Sequence, residues 1–140
     1  MKQTSLTPKD FINSLPENRK EIILELDKII APLFESSDRY MLEGKFWGGS
    51  DQQILSYGRY SYIRSDKKEV NWFIIGLANQ KDYVSLFISA VEDREYLAQK
   101  YKDKFGKVEA KTSRVKIKKL EHLDLKGTAE VIKLAKQLIG

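Results

Sequence analysis

Apolar residues recur at three- and four-residue steps through Ile22, Ile23, Leu26, Ile29, Ile30 and Leu33, which predicts one long amphipathic helix with Pro32 in its last turns. Ahead of it, Thr7-Pro8-Lys9-Asp10 predicts a short helix: threonine caps it, proline takes its first position, and an acid follows three residues after the cap. Leu15-Pro16-Glu17 restarts the pattern, with proline again in a first turn.

From Met41 the period changes. Gly44, Gly48, Gly49 and Ser50 break any helix, and Ile54 to Arg64 then alternates as a strand, with Leu55, Tyr57, Arg59, Ser61 and Ile63 on one side. Ser65-Asp66-Lys67-Lys68 supplies a turn. Val70 to Ala78 reads as a second strand, with Trp72, Ile74, Gly76 and Ala78 opposite Phe73, Ile75 and Leu77. Asn79-Gln80-Lys81-Asp82 turns into a third strand, Tyr83 to Ala90, with Val84, Leu86, Ile88 and Ala90 sharing a face. Asp93 to Lys104 is rich in helix formers and ends at Gly106. Arg114 to Lys118 alternates with Val115 and Ile117 inward, and a final helix starts near Leu125 behind an Asp124 cap. The expectation is a single α+β domain spanning residues 1–140, a mainly antiparallel sheet of about four to five strands covered by N-terminal, middle and C-terminal helices.

Composition narrows the chemistry. A chain of 140 residues can bury a full core without staples, and its 41% hydrophobic and 32% charged residues lie far from disordered compositions. It has no cysteine, which removes disulfides, thiolate metal sites and thiol nucleophiles. With no signal-peptide pattern and no apolar run long enough for a membrane helix, the expected location is the cytoplasm, with no membrane partner.

The formal net charge of +5 is uneven: residues 100 to 126 carry ten basic and four acidic side chains. The lysines of the 93–104 helix point in different directions, whereas Arg114, Lys116 and Lys118 alternate outward on the last strand. About three cations on one surface, with no stacking groups beside them on that strand, predict weak, sequence-independent contact with nucleic acid and no specific nucleic-acid partner.

Trp47-Gly48, Gly58-Arg59-Tyr60-Ser61-Tyr62, Trp72 with Gly76 and Lys81, and Ile117-Lys118-Lys119-Leu120-Glu121-His122-Leu123-Asp124-Leu125 follow one another in an order that resembles the YdhG-like family of bacterial domains. Phe11-Ile12-Asn13-Ser14-Leu15-Pro16 is similar to that family's N-terminal helix start. The chain departs from the pattern at Lys111-Thr112-Ser113, where the family usually has Gly-Lys-Ser, and at His122, where it has an acid. Many relatives have no assigned function. Some are described as frataxin-like iron chaperones, so the resemblance implies iron as a bound species.

On that implication, Glu17, Glu21 and Glu25 are the metal candidates, because they recur every four residues along one helix stripe and carboxylates suit hard cations. The same stripe is what a solvated face with Lys20 and Lys28 as partners also produces. His122, flanked by Glu121 and Asp124, has no second imidazole to complete a transition-metal site and reads as a loop histidine. The residues that the resemblance highlights, Trp47, Tyr60, Tyr62, Trp72 and Lys81, suggest an aromatic pocket with one cation at its rim, suited to a small anionic ligand; strand aromatics packing as core is the plainer reading. No nucleophile and base pair in a catalytic motif is visible. The sequence therefore reads as a non-enzymatic cytoplasmic binding protein for iron or for a small anionic ligand, with an uncharacterised enzyme as the alternative.

Overall fold

The computed structural model describes residues 2–45 and 51–139. Trp47, one of the residues expected in a pocket, lies outside them. The N-terminal helix α1 (Pro8–Asn13) starts as its sequence requires, with Pro8 in its first turn and the Thr7 hydroxyl accepting from the Asp10 amide at 3.1 Å. Helix α2 (Glu17–Ile30) follows, with extended Pro16 at the cap position rather than inside the first turn. Ile22, Ile23, Leu26 and Ile30 form its buried stripe, and Pro32 lies in the 3-10 turn Ala31–Leu33 that ends it.

The sheet is larger than the sequence suggested. Strands β1 (Lys2–Gln3), β2 (Arg39–Lys45), β3 (Asp51–Tyr57), β6 (Ile75–Asn79), β7 (Val84–Ile88), β10 (Glu109–Lys111) and β11 (Arg114–Ile117) make seven strands in the order β1-β2-β3-β6-β7-β11-β10. Every neighbouring pair is antiparallel. The edge strands β1 and β10 are too short for alternation to show them, and β2 runs through Gly44, which read as a break.

Two strands expected as continuous are each cut in two. The 54–64 strand breaks at Gly58, whose φ is +78°, leaving β4 (Tyr60–Ile63) outside the sheet. The 70–78 strand breaks at Phe73 and Ile74, leaving β5 (Glu69–Trp72) outside as well. β4 and β5 pair only with each other, as a two-stranded ribbon. The break also shifts the alternation by one residue. Ile74 joins Ile75 and Leu77 in the main core, while Phe73 crosses to the helix-free face with Ile54, Ala78 and Phe87.

The helix expected over 93–104 is corrected too. Strands β8 (Val91–Glu92) and β9 (Glu95–Tyr96) form a tight hairpin through Asp93 and Arg94, both with positive φ, and only then come α3 (Leu97–Lys100) and the 3-10 turn Lys102–Phe105. Local bonds hold the hairpin against propensity: Lys100 Nζ donates to Glu92 at 2.7 Å and to Asp93 at 2.9 Å, and the Tyr101 hydroxyl donates to Glu92 at 2.6 Å.

Helix α4 (Leu125–Ile139) closes the fold, with Asp124 Oδ1 accepting from the Gly127 amide at 2.9 Å. The main core lies between the helices and one sheet face, where Leu55, Leu77, Leu86, Val115 and Ile117 meet Ile23, Leu26, Phe105, Val131 and Ile132. A smaller cluster of Tyr40, Leu42, Ile54, Phe73, Ala78 and Phe87 occupies the helix-free face. The observed class is α+β, with a mostly antiparallel sheet.

Between α2 and the sheet lies a polar tie. Arg39 grips Asp27 with two bonds of 3.0 Å, and the Tyr57 hydroxyl donates to the same carboxylate at 2.5 Å. Burial, reinforced by the Asp27 charge, raises the Tyr57 pKa well above its ordinary value of 10.0. The phenol therefore keeps its proton in the folded state at pH values where the unfolded chain loses it. Its contribution to stability is whole below about pH 10 and is lost as pH rises through the folded-state pKa. Tyr57→Phe should reduce the alkaline loss of stability by up to about 1.4 kcal/mol per pH unit, measured by urea unfolding at a series of pH values; an unchanged slope would contradict this account.

The start of α4 packs directly on the backbone of the 3-10 turn Lys102–Phe105. A Cβ added at Gly127 would lie 1.9 Å from the Lys104 carbonyl oxygen, which cannot move without moving the chain. Gly127→Ala should cost about 3 kcal/mol in chemical denaturation even though alanine favours helix.

Candidate functional site

The departing ribbon creates the most distinctive surface of the molecule. Gly58 redirects the chain between two fixed bonds, its amide donating to the Asp38 carbonyl at 2.8 Å and its carbonyl accepting from the Tyr40 hydroxyl at 2.9 Å. The return point is tied as well: the Ile74 amide donates to Tyr57 at 3.0 Å, and the Ser89 amide donates to Ile74 at 3.0 Å. Between these points Tyr60 stands opposite Trp72 in the ribbon.

A cleft of about 390 Å³ opens beneath it. Tyr60, Tyr62 and Trp72 form one wall, and Val91 and Tyr96 of the β8–β9 hairpin, with Ile139 at the end of α4, form the other. Phe73, Phe87, Ser89, Ala90 and Ser113 form the base. The rings are in mutual contact, with centroids 5.9 Å apart for Tyr60 and Tyr62, 4.6 Å for Trp72 and Phe73, and 6.2 Å for Phe73 and Phe87. Gly76 lets the base lie low, since a Cβ there would be 2.8 Å from the Phe73 ring. Exposure grades from 43% at Tyr62 and 39% at Tyr96 at the mouth to 3% at Phe87 and 1% at Phe73 below. The size is that of a small-molecule site.

None of the described lining residues is charged. The polar groups are hydroxyls and the Trp72 indole. Ser89 Oγ donates to the Phe73 carbonyl at 2.8 Å, and Ser113 is buried. Burial raises the Tyr60 pKa, a shift that Ser89 opposes, so the phenol is a neutral O–H group at physiological pH.

Tyr60, Tyr62 and Trp72 are thus brought together as their sequence suggested, but the expected cation is elsewhere. Lys81 follows the far end of β6, about 17 Å along the strand from the cleft end. It borders a separate polar depression with Glu43, Gln52, Asn79 and Gln80. Arg19 of α2 clamps that turn, donating to Asn79 at 2.8 Å and to the carbonyls of Gln80, Lys81 and Tyr83 at 2.7, 3.1 and 3.2 Å. No spacing in the sequence announces this clamp, because it joins positions about sixty residues apart.

The carboxylates of the metal reading do not gather around one point. Glu17 lies 3.7 Å from Lys20 and Glu25 lies 3.0 Å from Lys28, as on a solvated helix face. Among the described residues no three His, Asp or Glu side chains form a group that could hold a metal ion. His122 is exposed in the turn before α4, where Asp124 serves as the helix cap. In the basic segment, Lys100 pairs with Glu92 and Asp93, and Lys104 pairs with Glu130 at 2.8 Å, which leaves the strand cations Arg114 and Lys116 on a different surface.

The sequence did not reveal Phe73, Phe87, Ser89, Tyr96 or Ser113 as cleft residues. Alternation along one unbroken strand places Phe73 on the opposite face, and composition places Tyr96 on a helix where the chain forms a hairpin. Compared with protein families, curated proteins and solved structures, the chain matches none. Among the described residues no helix is long and apolar enough to cross a membrane.

The cleft depends on Gly58. A Cβ there would lie 2.7 Å from Ile74 and 2.8 Å from Phe34, at a φ of +78° that L-residues rarely adopt. Gly58→Ala should cost about 2 kcal/mol and alter the near-ultraviolet circular dichroism of the aromatic cluster while the far-ultraviolet spectrum persists. An unchanged near-ultraviolet signal would show that the ribbon does not depend on this residue.

Proposed function

We propose that this protein is a small-molecule-binding domain whose aromatic cleft holds a flat, uncharged ring system. The observation that carries the reading is the lining: rings from the ribbon and the sheet face a second wall across about 390 Å³, and no charged side chain lies among them. A charge placed on that base would be desolvated without a partner, whereas a flat ring would gain stacking and apolar burial. The serine and tyrosine hydroxyls supply the few hydrogen bonds that orient such a ligand. No carboxylate, histidine, lysine or arginine lies among the described lining residues, which favours the binding reading.

The test uses neutral bicyclic probes. 2-Naphthol at about 100 times its dissociation constant adds about 2.7 kcal/mol of stability, an increase easily read as a raised melting temperature. Trp72→Ala and Tyr60→Ala should each weaken binding about tenfold, consistent with the loss of one ring contact and its buried area. Lys81→Met should leave binding unchanged. If neither 2-naphthol nor indole raises the melting temperature, or if Trp72→Ala binds as tightly as the native protein, the cleft is packing alone.

A further inference from the structure

The neutral cleft borders a second concavity of opposite character. The tight turn between β10 and β11 contributes to both: Ser113 lines the cleft, while its neighbour Thr112 lines a concavity of about 280 Å³ with Lys111, Arg114, Lys116 and Glu109. Strand register gives a second link. Arg114 stands opposite Phe87, which belongs to the cleft base, and opposite Lys111 on its other side. Directly opposed residues have Cβ atoms about 5 Å apart, so cleft and concavity adjoin.

The concavity gathers three cationic side chains and one carboxylate. Lys111 and Arg114 make no ion pair among the described residues, and the single carboxylate present, Glu109, lies 4.0 Å from Lys116. The Arg114 and Lys116 head groups rest 5.8 and 5.0 Å from the Tyr83 ring centroid, which holds the two cations together on the helix-free face. The turn itself is fixed, since the Thr112 amide donates to Gln99 at 2.9 Å and Thr112 is held at a φ of 53°.

We propose that the two concavities are halves of one site, the cleft holding a flat ring and the Lys111, Arg114 and Lys116 side chains holding a phosphate group attached to that ring. This inference rests on the cleft reading above and narrows it to ring-bearing phosphate monoesters. Because the Thr112–Ser113 turn borders both concavities, one ligand can span them. The arginine fork matches phosphate geometry, and the flanking lysines supply charge without a fixed geometry. The anionic end of the ligand therefore meets β10 and β11 rather than Lys81.

Titration calorimetry with 2-naphthol, 2-naphthyl phosphate and inorganic phosphate decides it, using the full chain at about 50 mM salt. 2-Naphthyl phosphate should bind at least about tenfold more tightly than 2-naphthol and than inorganic phosphate, since each half adds its own contacts. The triple variant Lys111→Gln, Arg114→Gln, Lys116→Gln should lose that advantage and keep the affinity for 2-naphthol, which also shows that it folds. Raising salt to about 500 mM should erode the advantage in the native protein. Equal affinity for 2-naphthol and its phosphate, an advantage that survives the triple replacement, or inorganic phosphate binding as tightly as the ester would overturn the joined site and leave the cleft standing. Silence from both ring probes would instead bring down the cleft reading on which it rests.

Discussion

The chain leaves the main sheet after Tyr57 and rejoins it at Ile74, and the hydrogen bond between those two residues closes the excursion. Everything distinctive about the surface depends on this closure. If β3 ran on through residue 64, Tyr60 and Tyr62 would lie flat on a sheet face and no cleft would exist. The bond from the Ile74 amide to the Tyr57 carbonyl keeps the base of the ribbon in register with β7, where the Ser89 amide continues the row. Tyr57 meanwhile anchors the same point to the helical layer through Asp27 and Arg39. The ribbon is exposed and short, and a two-stranded ribbon is marginal by itself; its position is inherited from a fully buried residue at its base.

This also explains which parts of the structure were legible in the sequence. The caps at Thr7 and Asp124, the buried stripe of α2 and the inward faces of β7 and β11 follow from local rules, and each appears as those rules require. What local rules miss is a break inside a well-patterned strand. Residues 54–57 alternate correctly, and so do 75–78, but alternation carries no signal that says when a strand stops pairing with its sheet. Gly58 was the available signal, since an isolated glycine within a strand pattern marks a bend or a close approach. The seven-strand count was likewise out of reach, because strands of two and three residues are too short to show a period.

For the site, residue type was more informative than position. The ribbon aromatics were identifiable as a group, and they do converge. Lys81 joined them through the resemblance alone, and the structure places it beside a different depression. β6 carries the chain away from the cleft before the Lys81 turn, and Arg19 holds the turn from the helical side. The cations beside the cleft come from β11, more than fifty residues after Tyr60 in sequence, and only the β7–β11 register brings them near.

Charge and apolar surface are segregated on the helix-free face for a physical reason. Its central strands carry Ile54, Ala78 and Phe87, with Phe73 from the ribbon's return packed on them, and their burial would be spoiled by any unpaired cation among them. Arg114 and Lys116 stand one strand away, where they are half-buried, and Lys111 lies on the edge strand beyond them. Lysine on an edge strand also discourages pairing with another chain. That role would be met by lysines pointing anywhere along β10, however. It does not account for an arginine in the penultimate strand that has no carboxylate partner among the described residues and lies directly across from the cleft base. Edge protection therefore explains Lys111 alone, while the placement of Arg114 and Lys116 around Tyr83 is the arrangement expected of a surface that meets an anion beside an aromatic ring.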